Sequence, residues 1–380
     1  MSAPAQSPQL QLPPGRTLNL PTAATINDGG LFPGEIEWRD HQKWLKDQGY
    51  MLRRRYRTDW VPSWKGTKRR PYECEDGLSY IRRHIMDARR ISDGTIVVLK
   101  RIRKSIHPHE AEISRMFSEE PLASDPHNHC IPIYEVLQSP LDSDIIFMVM
   151  PYLRRYSDPR FATVGEAVEC IRQLLEGVQF LHKLRVAHRD IMNLNFMMDP
   201  TSIVSEAHHP HIQTRSYDNR RKLKFSTRTM HPVRYYIIDF GISRQYPLDC
   251  VSPREDPIWG GVKKVPEFHK SNEPCDPFPT DIFYTGYLLW EDFVERSADL
   301  DFLRPLVDEM MQEDPAKRPT IDEVIERFDK LRGSLSTWKL RSRVVHKKDY
   351  SIVGFFRALR HTYRTAKYIL KRRPAIPTPT

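Results

Sequence analysis

Long hydrophobic runs are missing from this sequence. No stretch reaches the roughly 18 apolar residues that a bilayer-spanning helix needs, and the first residues lack the charged-then-apolar order of a secretory leader. Neither a membrane span nor secretion is expected. Cysteine is rare and scattered: Cys74, Cys130, Cys170, Cys250 and Cys275 stand alone, with no Cys-x-x-Cys spacing. That excludes a zinc knuckle or a thioredoxin-like pair, and the odd count suits reduced thiols in the cytoplasm or nucleus. Glycine is also sparse, with Gly77 and Gly94 alone between Pro71 and Lys100. Acidic residues are outnumbered by basic ones, giving a net charge of +10. Such a balance favours anionic partners: a nucleotide, an acidic protein or an anionic membrane face. No nucleic-acid recognition motif accompanies the charge, so nucleic acid is not expected.

What is present is enough for a core, since 39% of the residues are hydrophobic. Residues 1–33 are rich in Pro, Ser, Thr, Gln and Ala and are expected to be a disordered tail. Residues 34–71 form a Trp-rich extension in which Trp38, Trp44 and Leu45 suggest an amphipathic helix over 35–48, stopped by Gly49. A globular domain is expected over 72–335. Its first part, 72–150, reads as strands: Asp93-Gly94 is a turn signal followed by Ile96-Val97-Val98-Leu99, and 145–150 is another apolar run. One helix interrupts them, with Glu112, Ile113, Met116 and Phe117 at helical spacing. Residues 154–335 read as helical. Thr163 with Glu166, and Thr320 with Glu323, are capping boxes, and Val168, Ile171, Leu174, Leu175, Val178 and Leu181 share one helix face. An insertion over about 200–232 carries His208, His209 and His211 and then a basic run. It lacks ligand spacing for zinc and is expected to be a solvated loop. Residues 336–380 are expected to be a basic amphipathic tail, with Phe355, Phe356, Leu359 and Tyr363 on one face and Arg357, Arg360, Arg364 and Lys367 among the others. Such a helix suits an acidic partner or an anionic membrane surface, or packs back against the domain.

Four features occur in a telling order: Lys100 at the end of a strand, Glu112 on the next helix, His188-Arg189-Asp190 five positions before Asn195, and Asp239-Phe240-Gly241 after an apolar run. Phosphoryl transfer needs these residue types together. A cation on a rigid strand holds the phosphates and is itself oriented by a carboxylate. Magnesium takes hard oxygen ligands, and the accepting hydroxyl needs a carboxylate to align it and take its proton.

With these motifs the chain resembles the eukaryotic protein kinase superfamily. A narrower likeness, through the Trp-rich leader and the run from Pro232 to Gly241, is to divergent fungal, basidiomycete-type kinase-like proteins. The resemblance implies an α+β, bilobal protein-kinase-like fold with a β-rich N-lobe and an α-helical C-lobe, and a ligand set of ATP and Mg2+. It implies Lys100 and Glu112 as the phosphate-holding pair, Asp190 as the base, and Asn195 and Asp239 as magnesium ligands. Met150 falls at the gatekeeper, with Pro151 and Leu153 offering backbone groups to adenine. Glu267 and Arg318 are implied to pair, and Ser243, Tyr246 and Ser252 offer phosphosites with Arg189 as receiver.

The pattern departs from the family in places. The glycine-rich phosphate loop is missing, and Arg82, Arg83, Arg89 and Arg90 lie in its neighbourhood, where solvating a strand edge is the expected role. Met192 stands where Ser/Thr kinases have lysine, and Gly260 where they have threonine. Loss of that cation weakens transition-state electrostatics. The expectation is therefore a Ser/Thr-type protein kinase of reduced activity, with an unidentified protein substrate. The alternatives are a pseudokinase scaffold, or a small-molecule kinase on the same fold.

Overall fold

The computed structural model describes residues 30–78, 83–258, 261–347 and 351–379. The chain divides into two compact units, residues 1–83 and 84–380. The second therefore begins at His84, later than the Tyr72 expected. The tail expected over 1–33 lies, as far as residue 29, outside the described residues, and Pro33 already opens a helix.

In the first unit, helix α1 (Pro33–Asp47) precedes strand β1 (Tyr50–Leu52). Gly49 turns the chain between them with φ +93°, a conformation open to glycine at little cost. Trp38 and Leu45 are buried and Trp44 is half-buried. Glu35 receives Arg55 at 2.7 Å in a buried ion pair. Asp76 accepts from Trp60 Nε1 and the Ser63 backbone, both at 2.9 Å.

In the second unit, strands β2 (Ile85–Arg90), β3 (Ile96–Arg103), β4 (Glu135–Gln138) and β5 (Ile145–Pro151) pair antiparallel in the order β2-β3-β5-β4. Their β-branched residues suit a pleated, buried surface. Helix α2 (Glu110–Met116) follows β3. Short strands β6 (Arg154–Arg155), β8 (Phe196–Met198) and β9 (Tyr235–Ile237) form a second sheet, and β7 (Val186–Ala187) pairs β10 (Arg244–Gln245).

Helix α3 (Val164–Lys183) is the axis of the helical part. Each of the six apolar residues expected on its inner face is buried, and burial of this kind contributes about 1.5–3 kcal/mol per side chain. Thr163 caps it by accepting from the Glu166 N–H at 3.1 Å. The reciprocal half of the expected capping box is absent: Glu166 instead accepts from the backbone N–H groups of Ala162 and Thr229. The box at Thr320 and Glu323 is complete and opens the helix that begins at Ile321. The helices after α3 are α4 (Pro266–Lys270), α5 (Pro277–Leu289), α6 (Arg304–Met310), α7 (Ile321–Ser334), α8 (Thr337–Arg341) and α9 (Ser351–Leu370).

One expectation is corrected here. The insertion over 200–232 is not a solvated loop. His208 and His209 are buried, and bridges join His208 to Ser216 and Arg215 to Lys222. Residues 336–380 pack back on the second unit, with Leu340, Val344, Ala375 and Ile376 joining its core.

Candidate active site

The Lys100 side chain projects from β3 and its Nζ is bonded to Glu110 and, at 2.7 Å, to Asp239 Oδ1. The lysine and Glu110 are both buried. Burial works against the Lys100 ammonium, but the carboxylates of Glu110 and Asp239 outweigh it and hold its pKa above the ordinary value. Burial likewise works against the Asp239 carboxylate, and Lys100 overcomes it, so Asp239 stays ionised below the usual range. For Glu110 burial dominates and pushes the pKa up.

The expected partner of Lys100, Glu112, is exposed and does not make this contact. Glu110 and Glu112 lie two residues apart, so on a helix they point to different sides. The signal that identifies the inner one was in the sequence: Ile113 and Phe117 stand at i+3 and i+7 from Glu110, and Ser114 at i+4 is buried with them.

Asp190, Asn195 and Asp239 are brought beside this pair by loops at the ends of β7, β8 and β9. Asn195 Nδ2 donates to Asp190 Oδ2 at 2.7 Å and to the Asp190 carbonyl at 2.9 Å. The Ile238 N–H donates to the Asn195 carbonyl at 2.9 Å, which ties the Asp239 strand to the Asn195 loop. Asp281, fully buried, accepts from the His188 and Arg189 N–H groups, each at 2.7 Å. Arg189 and Asp239 both have φ +69°. Left-handed backbone costs about 1–3 kcal/mol at a non-glycine residue and persists where surrounding bonds overdetermine it. Burial raises the Asp190 pKa despite the Asn195 hydrogen bond and the nearby His188. The backbone of Gly261 also approaches: a Cβ there would sit 2.5 Å from Asp190 Oδ1. Gly260 lies outside the described residues.

Phe240 is buried against Phe117 and His188, with ring centroids 5.2 and 5.1 Å away. His107, a contact that sequence reasoning missed, meets the Gly241 carbonyl through Nδ1 at 2.8 Å. Glu267 and Arg318 form a two-bond ion pair at 2.6 and 2.8 Å.

Opposite residues of an antiparallel pair face the same side, as do residues two apart on a strand. The registers Asp87↔Val98, Val98↔Met150 and Lys100↔Met148 therefore put Asp87, Val98 and Met150 on the Lys100 face of the sheet. Pro151 ends β5, and Leu153 is half-buried just beyond it. The insertion reaches this face. Tyr217 donates its hydroxyl to Asp87, and His208 stacks on Tyr152 with centroids 4.6 Å apart. Burial lowers the His208 pKa to about 3, with Arg154 adding to the effect, so the ring is neutral. Between the insertion and the β2–β3 turn is a cavity of about 450 Å³ lined in part by Arg89, Ile96, Tyr152 and Tyr217. Arg89 and Arg90 bond their own turn, at Gly94 and Asp93. Residues 79–82, which include Arg82, lie outside the described residues.

The phosphosite expectation is revised. Ser243 is buried and donates to the His188 carbonyl at 3.0 Å. Arg189, expected to receive a phosphate, already meets Glu255 at 3.1 Å, and Tyr246 donates to the same carboxylate at 2.8 Å. Ser252 is exposed.

Residues 84–252 match the family model described as a protein kinase domain. Over these residues the chain carries a protein kinase domain, and its likeness is to the eukaryotic protein kinase superfamily. Among curated relatives, a human protein named NUAK family SNF1-like kinase 2 is 32% identical over 117 residues, covering 29% of this chain and 18% of its own length. Cyclin-dependent kinase G-1 of Oryza sativa subsp. indica is 29% identical over 159 residues, covering 40% of this chain and 18% of its own. The light-sensor protein kinase of Ceratodon purpureus is 21% identical over 245 residues, covering 55% and 18%. The chain thus spans 18% of the length of each of these relatives. The kinase domain accounts for the bilobal α+β architecture, with its antiparallel sheet ahead of the helices.

The donor set of the kinase domain suits magnesium. Asp239 supplies a carboxylate held ionised, and Asn195 spends its amide hydrogens on Asp190, which leaves its amide oxygen for a cation. Both are hard oxygen donors of the type that ion takes. Among the described residues no cluster of three or more His, Cys, Asp or Glu side chains forms a separate metal site.

Proposed function

We propose that this protein transfers the γ-phosphate of ATP to a serine or threonine hydroxyl of a protein substrate, in a magnesium-dependent reaction. The observation that carries this reading is the double engagement of Lys100 by Glu110 and Asp239, next to Asp190 and Asn195. Lys100 would hold nucleotide phosphate oxygens, oriented by Glu110. Asn195 and Asp239 would hold magnesium, whose charge neutralises the phosphates. Met150, Pro151 and Leu153 would line the base. Asp190 would align the incoming hydroxyl and take its proton as the oxygen bonds to the γ-phosphorus and the bond to the leaving diphosphate breaks. Its raised pKa makes it a better proton acceptor than an ordinary aspartate. Met192 in place of a cation leaves less electrostatic stabilisation for the transferring group, so turnover is expected to be slow. Cytoplasm or nucleus is the expected setting.

A second reading is favoured by the contact of Tyr217 with Asp87 on the Lys100 face of the sheet. A nucleotide entering there meets an insertion already docked, and the domain would then serve as a pseudokinase scaffold.

A thermal-shift titration with ATP, with and without magnesium, on the wild type and on Asp239→Asn separates the two. Bound ligand raises the melting temperature by mass action. A magnesium-dependent rise that shrinks in the variant, followed by transfer of labelled phosphate to protein that is lost in Asp190→Asn, supports the kinase. No rise at saturating nucleotide overturns it in favour of the scaffold.

A further inference from the structure

Helix α9 is fixed to the second unit by one side and bare on the other. On the fixed side Tyr368 is buried and donates to Thr227 Oγ1 at 2.9 Å, and His361 Nε2 meets the Arg341 carbonyl at 3.0 Å. On the bare side Phe355, Phe356, Leu359 and Tyr363 are 67%, 65%, 63% and 73% exposed. At about 100° per residue these four fall within an arc of about 100° of the helix, nearly opposite His361 and Tyr368. Folding against the rest of the chain has therefore used one face and left the larger apolar face outward.

The charge around that face has a single sign. Residues 351–373 contain no Asp or Glu. Arg360 and Lys367, both exposed, flank the apolar stripe along one edge, and Lys371 continues the line. Among the described residues no helix is long and apolar enough to cross a membrane. A 20-residue helix of about 30 Å with a continuous apolar stripe and a basic edge has the composition of one that lies in the interfacial plane of a bilayer. There, aromatic and aliphatic side chains enter the acyl boundary and the cations meet anionic headgroups.

We propose that the Phe355–Leu359–Tyr363 face of α9 docks the protein on the anionic surface of a lipid bilayer. The occupant is argued from charge complementarity and from the orientation of the stripe, which points directly away from the Tyr368 anchor. The inference does not depend on the nucleotide chemistry of the cleft. Docking by this face leaves the bonds of Tyr368 and His361 intact, so no part of the domain has to open.

The test is co-sedimentation of the full chain with vesicles of phosphatidylcholine alone and of phosphatidylcholine containing about a third phosphatidylserine. Binding to the anionic vesicles, weakened by added salt and absent from the neutral ones, is the expected result. Arg360→Gln and Lys367→Gln should each lower the partition coefficient about fivefold. Leu359→Ser with Tyr363→Ser should lower it by about a hundredfold or more, the lower end of what two buried apolar side chains supply. Because these side chains are exposed, the melting temperature of each variant should match the wild type, which separates lost docking from lost folding. Equal sedimentation with both vesicle types, or none with either, overturns the proposal. A concentration-dependent dimer in ultracentrifugation that the two serine substitutions abolish also overturns it and assigns the face to a second copy of the chain.

Discussion

Tyr217 donates its hydroxyl to Asp87, and Asp87 lies on the same face of the same sheet as Lys100. An element inserted between β8 and β9 thus reaches back to β2. The tie predicts that Tyr217→Phe, which takes one donor from a buried carboxylate, lowers unfolding free energy by about 1–3 kcal/mol. It also predicts faster amide exchange over 205–222 than over α3, read by mass spectrometry. Unchanged exchange in the insertion would show that the tie does not hold it.

The pairing of Lys100 with Glu110 makes a sharp distinction between two neighbouring carboxylates. Glu110→Gln should weaken magnesium–ATP binding by roughly tenfold or more, the loss expected when a charge-assisted bond of about 1.5 kcal/mol is removed. Glu112→Gln, on the exposed side, should leave it unchanged. Thermal-shift titrations of the two variants in parallel give the answer.

Asp190 has a folded-state pKa above that of a free aspartate, whose ordinary value is 3.8. A base works only when deprotonated, so phosphate transfer should fall on the acid side through a limb centred above 3.8. Asp190→Asn should remove that limb with the activity, while nucleotide binding persists. The sign for Asp239 is opposite. Its depressed pKa makes its ion pair with Lys100 a source of stability that is present above the ordinary aspartate pKa and lost as pH falls through the folded value.

The pair of Glu267 and Arg318 is the strongest single structural test. The Arg318 side chain is fully buried and Glu267 nearly so. Glu267→Gln leaves a buried guanidinium short of its counter-charge, and the cost should be about 3–5 kcal/mol, measured by urea unfolding. The Glu267 pKa is lowered by Arg318 in spite of burial, so this contribution is also lost in acid.

Much of the site was legible because its chemistry is local in sequence. Asp190 and Asn195 lie on one loop, and Asp239 directly follows an apolar strand, so short patterns pointed to them. The exposed apolar stripe of α9 was legible for the same reason, since helical periodicity needs no tertiary knowledge. What was misread depended on long-range packing. The burial of His208 comes from Tyr152, far back along the chain, and nothing near His208 announces it. The choice of Glu112 over Glu110 followed a motif spacing where the apolar positions at 113 and 117 carried the better information. Ser243 looked available for modification because it falls in the segment from Asp239 to Glu267, yet the backbone of His188 claims its hydroxyl.

Glu255 bears on how the domain is governed. With Arg189 already facing a carboxylate encoded in the chain, and Tyr246 bonded to the same group, the stretch from Tyr246 to Glu255 is clasped by bonds that the chain itself supplies. That carboxylate occupies the guanidinium that an added phosphate would otherwise meet.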